Sequence, residues 1–303
     1  MGVLRGHVEL SAEEFVCRLC SNADASEYLI GCPDYFLNNR LVVDYLRCNK
    51  CKMVQQHPIP KDIQSLYSNY PIHRPRNFFQ RLARRLFHKI YFQPQENSKN
   101  KVLLDYGCGD GSFLQEVKEN FKQAFGYEPG KDYAVNLSKR LEEIEVFGNK
   151  EKLLSEKTNT FDIVTAHFVV EHLDDLHGTF MIFNKLLKRN GFLYIAVPNI
   201  GSWESLLFKR KWHGLDAPRH LLFPELVHFK FLAEKYKFSD LKTRYAPFSN
   251  TLAASMSTTL FGRYSGFIMA LLTLPSWVVS LFAPQGSLVV EMRKSGELME
   301  DAD

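Results

Sequence analysis

Three glycines at alternate positions, Gly107, Gly109 and Gly111, follow Asp105 in the run Asp105-Tyr-Gly-Cys-Gly-Asp-Gly. Glycine has no Cβ, so such a segment lets the backbone itself approach a ligand. The run sits between a short apolar stretch and a helix-like one, the strand-to-helix setting in which nucleotide-type cofactors bind. A dinucleotide fingerprint needs G-x-G-x-x-G, but position 112 is Ser and the third glycine comes one residue early. Glu128 ends the next strand-like stretch, where a carboxylate can accept two hydrogen bonds from ribose hydroxyls.

A second chemistry is suggested by cysteine. Of the six cysteines, four form two Cys-x-x-Cys pairs, Cys17/Cys20 and Cys48/Cys51. Two such turns brought together complete a tetrahedral zinc site, and a site closed by four thiolates stabilises structure and leaves no open position for chemistry. Buried or reactive thiols are the alternative. The stretch Tyr28 to Asp44 between the pairs can form a hairpin, so the long spacing is tolerable.

Elements must position these groups. Apolar runs alternating with helical stretches predict strands at 102–105, 124–128, 145–147, 161–166 and 192–197, with helices at 112–120, 132–142 and 176–187. Two further strands are expected at 240–245 and 287–292. The expected fold is α/β, a Rossmann-like, doubly wound, mostly parallel seven-stranded sheet with a small zinc-ribbon-like N-terminal domain and a helical insertion near the C-terminus. The boundaries read as a zinc-binding domain at 1–70, a basic helical linker at 71–99 and the main domain at 100–303. Insertions in the main domain are expected at about 199–239 and 246–286.

The net charge of +4 falls short of the basic excess that would by itself indicate nucleic acid. Acidic residues near the N-terminus, where a signal peptide needs apolar ones, predict a cytoplasmic chain. Between Arg244 and Glu291 the only charged side chain is Arg263. Pro275, Pro284 and several Ser and Thr argue against a simple spanning helix there. Residues 76–93 read as a basic helix, with Phe79, Leu82, Leu86 and Ile90 near helical spacing and Arg81, Arg84, Arg85 and Lys89 interleaved. Together with the uncharged stretch it could dock peripherally on an anionic membrane.

Across residues 100–200 the chain resembles class I S-adenosylmethionine-dependent methyltransferases. The G-x-G-x-G turn is followed in order by Phe161-Asp162-Ile-Val, Val170-Glu171-His172-Leu, Leu187-Lys-Arg-Asn-Gly191 and Val197-Pro198-Asn199. Arg189-Asn190-Gly191 departs from the Pro-Gly-Gly of many members, at a turn far from the chemistry. The resemblance implies that Asp105 and Gly107, Gly109 and Gly111 hold the methionine end of S-adenosylmethionine. By the same resemblance Gly148 and Asn149 lie near the adenine, His167 faces the cofactor, and His172 shapes the cofactor pocket. With its cysteine pairs and the segment Trp212-His-Gly-Leu-Asp216-Ala-Pro-Arg219-His220-Leu, the whole chain is similar to bacterial methyltransferases acting on sugars or cell-surface precursors.

The expected acceptor is therefore a small molecule, a sugar, sugar nucleotide or lipid-linked saccharide. Its proton needs a base, and histidine is best poised near neutral pH. His220 is the candidate, in the insertion after the fifth strand; capping the segment that follows it is the structural alternative. Asp216 and Arg219 could hold a substrate phosphate or each other. Tyr67 and Tyr70 precede the basic helix, and the resemblance implies that such tyrosines cover the active site. RNA methylation is a competing reading, opposed by the lack of concentrated Lys and Arg near the cysteines. A catalytically silent binding protein is the third reading, opposed by the intact Asp105, glycines and Glu128.

Overall fold

The structure, a computed structural model, describes residues 14–37, 41–60, 62–67, 88–92, 97–246, 249–283 and 285–298. Tyr70 and most of the expected basic helix lie outside them.

The N-terminal strands are β1 (Ala25–Pro33), β2 (Val42–Cys48) and β3 (Val54–His57), and β1 and β2 form the expected hairpin. The main sheet then begins with β4 (Val102–Tyr106), β5 (Gln123–Tyr127), β6 (Glu145–Phe147), β7 (Phe161–His167) and β8 (Leu187–Pro198). The chain continues through β9 (Leu222–Phe223), β10 (Phe238–Ala246) and β11 (Ser287–Lys294). The seven-stranded sheet runs β10-β11-β8-β7-β4-β5-β6, and β11 is antiparallel to both of its neighbours. Strand order reverses between β4 and β7, the switch point outside which such sheets bind ligands.

Alternation along the strands explains the two covered faces. Leu104, Tyr106, Phe125, Val164 and Ala166 point into one core; Leu103, Ala124 and Ile163 point into the other. The second core is closed by α1 (Ser112–Val117) and α2 (Lys131–Leu141), through Phe113, Leu114, Leu137 and Leu141. The first is closed by α3 (Lys150–Lys157), α4 (Leu176–Leu186) and, after the short α5 (Trp203–Phe208), by α6 (Leu226–Lys235). Sequence periodicity missed α3, where Leu153 is the one fully buried side chain and most others are charged.

One feature departs from the expected layout and one follows it. First, β9, from the insertion after β8, pairs antiparallel with β3, so the N-terminal sheet is four-stranded, in the order β1-β2-β3-β9. Cys17, Leu19, Cys48 and Met53 pack in the same core as α4 and α6. Second, the insertion expected at 246–286 is helical as expected, a hairpin of α7 (Ser249–Phe261) and α8 (Gly266–Phe282) between β10 and β11. Among the described residues no helix is long and apolar enough to cross a membrane.

Candidate active site

The carboxyl ends of β4, β5, β6 and β7 bring Asp105–Gly111, Glu128, Asn149 and His167 to one edge of the sheet. Gly107 and Gly109 have φ of +78° and +56°, in the left-handed region. A Cβ on Gly107 would collide with Val169, whereas one on Gly109 would meet nothing within 4 Å. Gly107 is thus required by packing, and the space beside Gly109 stays open. The amides of Gly107 and Cys108 donate to Tyr127 O at 2.7 and 3.0 Å, which ties the turn to the end of β5. Gly111, also left-handed, opens α1.

Glu128 accepts a 2.7 Å hydrogen bond from the Gly109 amide. Burial pushes its carboxyl up to about 7, although that amide works in the other direction. Asp105 is buried and accepts from Thr165 Oγ1 at 2.8 Å. Asn149 Oδ1 caps α3 by accepting from the Lys152 amide at 2.7 Å, which fixes the side chain and leaves its NH2 donors for a ligand. His167 ends β7 with its ring edge-on to Phe113 at 5.1 Å, and its buried Nε2 has no hydrogen-bond partner among the described residues. Burial lowers its pKa to about 3, so the ring is neutral. An open backbone cradle beside a half-buried carboxylate fits a cofactor with an amino-acid end and a ribose.

A second cluster follows directly after β7, on the same edge. His172 and His220 stack edge to face, with ring centroids 4.6 Å apart. His220 Nδ1 lies 2.9 Å from Gly214 O, and His172 Nδ1 lies 3.0 Å from Arg219 O and 2.7 Å from Tyr67 Oη. A carbonyl only accepts, so both Nδ1 atoms carry the proton and both Nε2 atoms carry a lone pair. Glu171 is 0% exposed, and among the described residues neither of its carboxylate oxygens has a hydrogen-bond partner. Burial raises the Glu171 carboxyl well above the usual range and lowers His220 to about 3.

Asp216 and Arg219 adopt one of the two arrangements the sequence left open: they hold each other. Arg219 is 0% exposed and forks onto Asp34 at 2.7 and 3.0 Å and onto Asp216 at 2.7 and 3.1 Å. Burial alone would raise the Asp216 carboxyl, but Arg219 foremost, together with His220 and His172, outweighs it and holds the group below its ordinary value. A guanidinium engaged by two carboxylates is a brace for the loop carrying His220, with little left for a phosphate. Burial, with the carboxylates of Asp216, Glu171 and Glu128, pushes the Tyr67 phenol up. Tyr67 therefore lies within electrostatic reach of both the ribose-type carboxylate and the histidine cluster. His172, expected at the cofactor, is joined to Tyr67 and His220.

The four cysteines of the two pairs converge: Cys17 and Cys51 sulfurs lie 3.4 Å apart, Cys20 and Cys48 sulfurs 3.6 Å, and all four within 4.8 Å of one another. Four thiolates bonded at ~2.3 Å to one tetrahedral ion stand ~3.8 Å apart, so the set has the geometry of such a centre. Asn22 Nδ2 donates to the Cys48 sulfur at 3.6 Å. Each cysteine loop is also fastened to the main domain by a histidine that sequence reasoning missed. His177 Nε2 donates to Leu19 O at 2.8 Å, and His228 Nε2 donates to Cys51 O at 2.9 Å. Tyr45 in β2 donates its hydroxyl to His220 O at 3.0 Å, linking the cysteine-bearing sheet to the histidine cluster.

Residues 77–243, more than half of the chain, match the family model described as a methyltransferase domain. Over 106 residues the chain is 36% identical to an uncharacterized protein of Methanocaldococcus jannaschii, covering 34% of this chain and 44% of that one. Over 111 residues it is 28% identical to the ubiquinone biosynthesis O-methyltransferase of Pelagibacter ubique, covering 33% of this chain and 43% of that one. The chain thus spans less than half the length of these curated relatives. Among solved structures, phosphoethanolamine N-methyltransferase 2 of Haemonchus contortus with S-adenosyl-L-methionine is similar in fold, with a TM-score of 0.50 and 16% identity over 90% of this chain and 69% of that one. The chain belongs to the methyltransferase-domain family, and its sheet is the Rossmann-like sheet of class I S-adenosylmethionine-dependent methyltransferases.

Proposed function

We propose that this protein transfers a methyl group from S-adenosylmethionine to a hydroxyl of a saccharide acceptor, as a free sugar, a sugar nucleotide or a lipid-linked saccharide. The observation that carries this reading is a polar cluster, the half-buried Tyr67 and His172 and the buried His220, on the same sheet edge as the glycine turn. A site built to hydrogen-bond hydroxyls selects strongly for acceptors that have them. S-adenosylmethionine, when bound, supplies a methyl group on a cationic sulfur that leaves without protonation. The cofactor residues of this reading are Asp105 and the glycine turn for the amino-acid end, Glu128 for the ribose and Asn149 for the adenine. His167 forms the wall behind the turn.

His220 belongs to the acceptor side. Its Nδ1–H is engaged by Gly214 O, so Nε2 turns a lone pair toward an incoming hydroxyl, the polarity an acceptor about to lose its proton requires. Replacing His220 with Ala is expected to leave the affinity for S-adenosylmethionine within about twofold and to cut turnover by on the order of 100-fold. Calorimetry and single-turnover kinetics separate the two; unchanged turnover in a cofactor-binding variant would remove His220 from the reaction.

In this reading the cysteine set binds structural zinc, which thiolates select at tetrahedral sites. Peripheral contact with an anionic membrane is supported by the apolar side chains that the helical hairpin exposes. Thr251, Ser255, Ser257 and Thr258 of α7 are buried, and His213 bonds Ser255 and Thr258. Large apolar side chains face outward instead: Phe267 is 75% exposed, Leu274 70% and Phe282 85%, with Leu260, Phe261 and Leu271 beside them. Exposed apolar side chains in such number on one hairpin suit a lipid interface, where a lipid-linked acceptor would be met. Flotation should carry the protein with anionic vesicles, and Phe267→Asp with Leu274→Asp should release it. Wild-type protein left at the bottom of the gradient would count against membrane contact.

A further inference from the structure

We propose that Glu171, His172 and His220 hold a divalent transition-metal cation in the acceptor pocket, separate from the four-cysteine centre. The inference rests on reading this pocket as the acceptor site and replaces the direct hydrogen bond from the acceptor hydroxyl to His220 with coordination of that hydroxyl to a metal. One ligand atom from each of the three residues lies within 4.8 Å of the others, and His220 Nε2 is 3.9 Å from Glu171 Oε1. Ligands bonded at ~2.1 Å to a shared ion stand about 3.0–3.4 Å apart, a closure that small side-chain rotations supply.

Two independent observations point to an ion. The first is the Glu171 carboxylate, fully buried, with both oxygens lacking a hydrogen-bond partner among the described residues. A buried carboxylate without a partner is costly, and protonation would leave an O–H in the same position. The neighbouring cation, Arg219, is already engaged by Asp34 and Asp216. The second observation is the state of the imidazoles. Metal-binding histidines characteristically donate the distal N–H to a backbone carbonyl or carboxylate, which fixes the ring and frees the other nitrogen. Both rings are held in this way, His172 by Arg219 O and His220 by Gly214 O. The Leu221 amide also donates to Glu171 O at 2.7 Å, so the strand after His220 and the turn carrying Glu171 are joined by their backbones.

Two imidazoles and one carboxylate suit zinc, manganese, iron or cobalt better than magnesium or calcium. Three protein ligands leave positions open, so an acceptor hydroxyl can coordinate and lose its proton to water more readily. The resulting oxygen lone pair forms the bond to the methyl carbon while the sulfur–carbon pair returns to sulfur.

The test uses the full chain with zinc in the cysteine centre. Manganese(II) is titrated and followed by loss of the free-ion paramagnetic resonance, and cobalt(II) by its visible spectrum. One further ion per chain should bind, and its cobalt spectrum should lack intense sulfur charge-transfer bands. Glu171→Gln and His220→Gln should each weaken that ion by at least on the order of 100-fold while still binding S-adenosylmethionine. No saturable manganese or cobalt beyond the zinc, in protein that binds S-adenosylmethionine, would overturn the site. So would unchanged binding in either variant. Ion binding without methylation of any saccharide would instead sink the acceptor reading and leave the metal site standing.

Discussion

Chelating the proposed zinc from Cys17, Cys20, Cys48 and Cys51, or replacing Cys48 with Ser, is expected to unfold the N-terminal sheet and abolish turnover. Metal-binding free energy at such centres, roughly 10–16 kcal/mol in small zinc domains, is largely folding free energy. Here the loss should spread. The cysteine loops are fastened to α4 and α6 through His177 and His228, and Cys17 and Cys48 pack in the main core. Tyr45 of the same sheet fixes the backbone of His220. The glycine turn and Glu128, held by β4 and β5, depend on none of these contacts. Zinc removal should therefore lower the melting temperature and eliminate transfer, while affinity for S-adenosylmethionine falls much less than turnover. Metal analysis, thermal melts and calorimetry on one sample check this. A melting temperature unchanged after complete chelation would contradict it.

Glu128→Ala is expected to weaken S-adenosylmethionine by on the order of 10–100-fold, since hydrogen bonds to a charged group contribute about 1.5–3 kcal/mol. The wild-type affinity should also depend on pH. Burial raises the Glu128 carboxyl to about 7, and accepting from two hydroxyls requires the ionised form. Affinity should rise as pH increases through about 7, and Glu128→Gln should flatten the profile at a lower level. The stability of the cofactor-free protein moves in the opposite sense. A carboxyl raised on folding contributes stability fully present below its unfolded pKa, and that contribution is lost as pH rises through about 7. Cofactor should therefore stabilise the protein more on the alkaline side than on the acid side. A pH-independent affinity would contradict this role for Glu128.

Strand alternation and the early third glycine made the sheet and its cofactor edge legible, because both depend on local spacing. The seven strands fall within a few residues of their expected positions, although β8 begins five residues earlier, at Leu187. Non-local pairings were hidden. Nothing near Leu222 and Phe223 announces that they add a strand to a sheet built from residues 25–57. The histidines bonding the cysteine loops lie 158 and 177 residues from their partners. Glu171-His172 was visible as a motif, but the isolation of its carboxylate appears only once β7, the Asp216–Arg219 loop and Tyr67 surround it. Arg219 shows the same limit: its sequence suited either a phosphate or a carboxylate, and the contribution of Asp34 from the far end of the chain decided between them.

Mass spectrometry of a saccharide acceptor panel, incubated with zinc-loaded protein and methyl-labelled S-adenosylmethionine, tests the proposed activity most directly. The expected result is one labelled methyl group on a sugar hydroxyl with an equal amount of S-adenosylhomocysteine. Label transferred to RNA and to no saccharide, or label retained on bound cofactor under every condition, would contradict it.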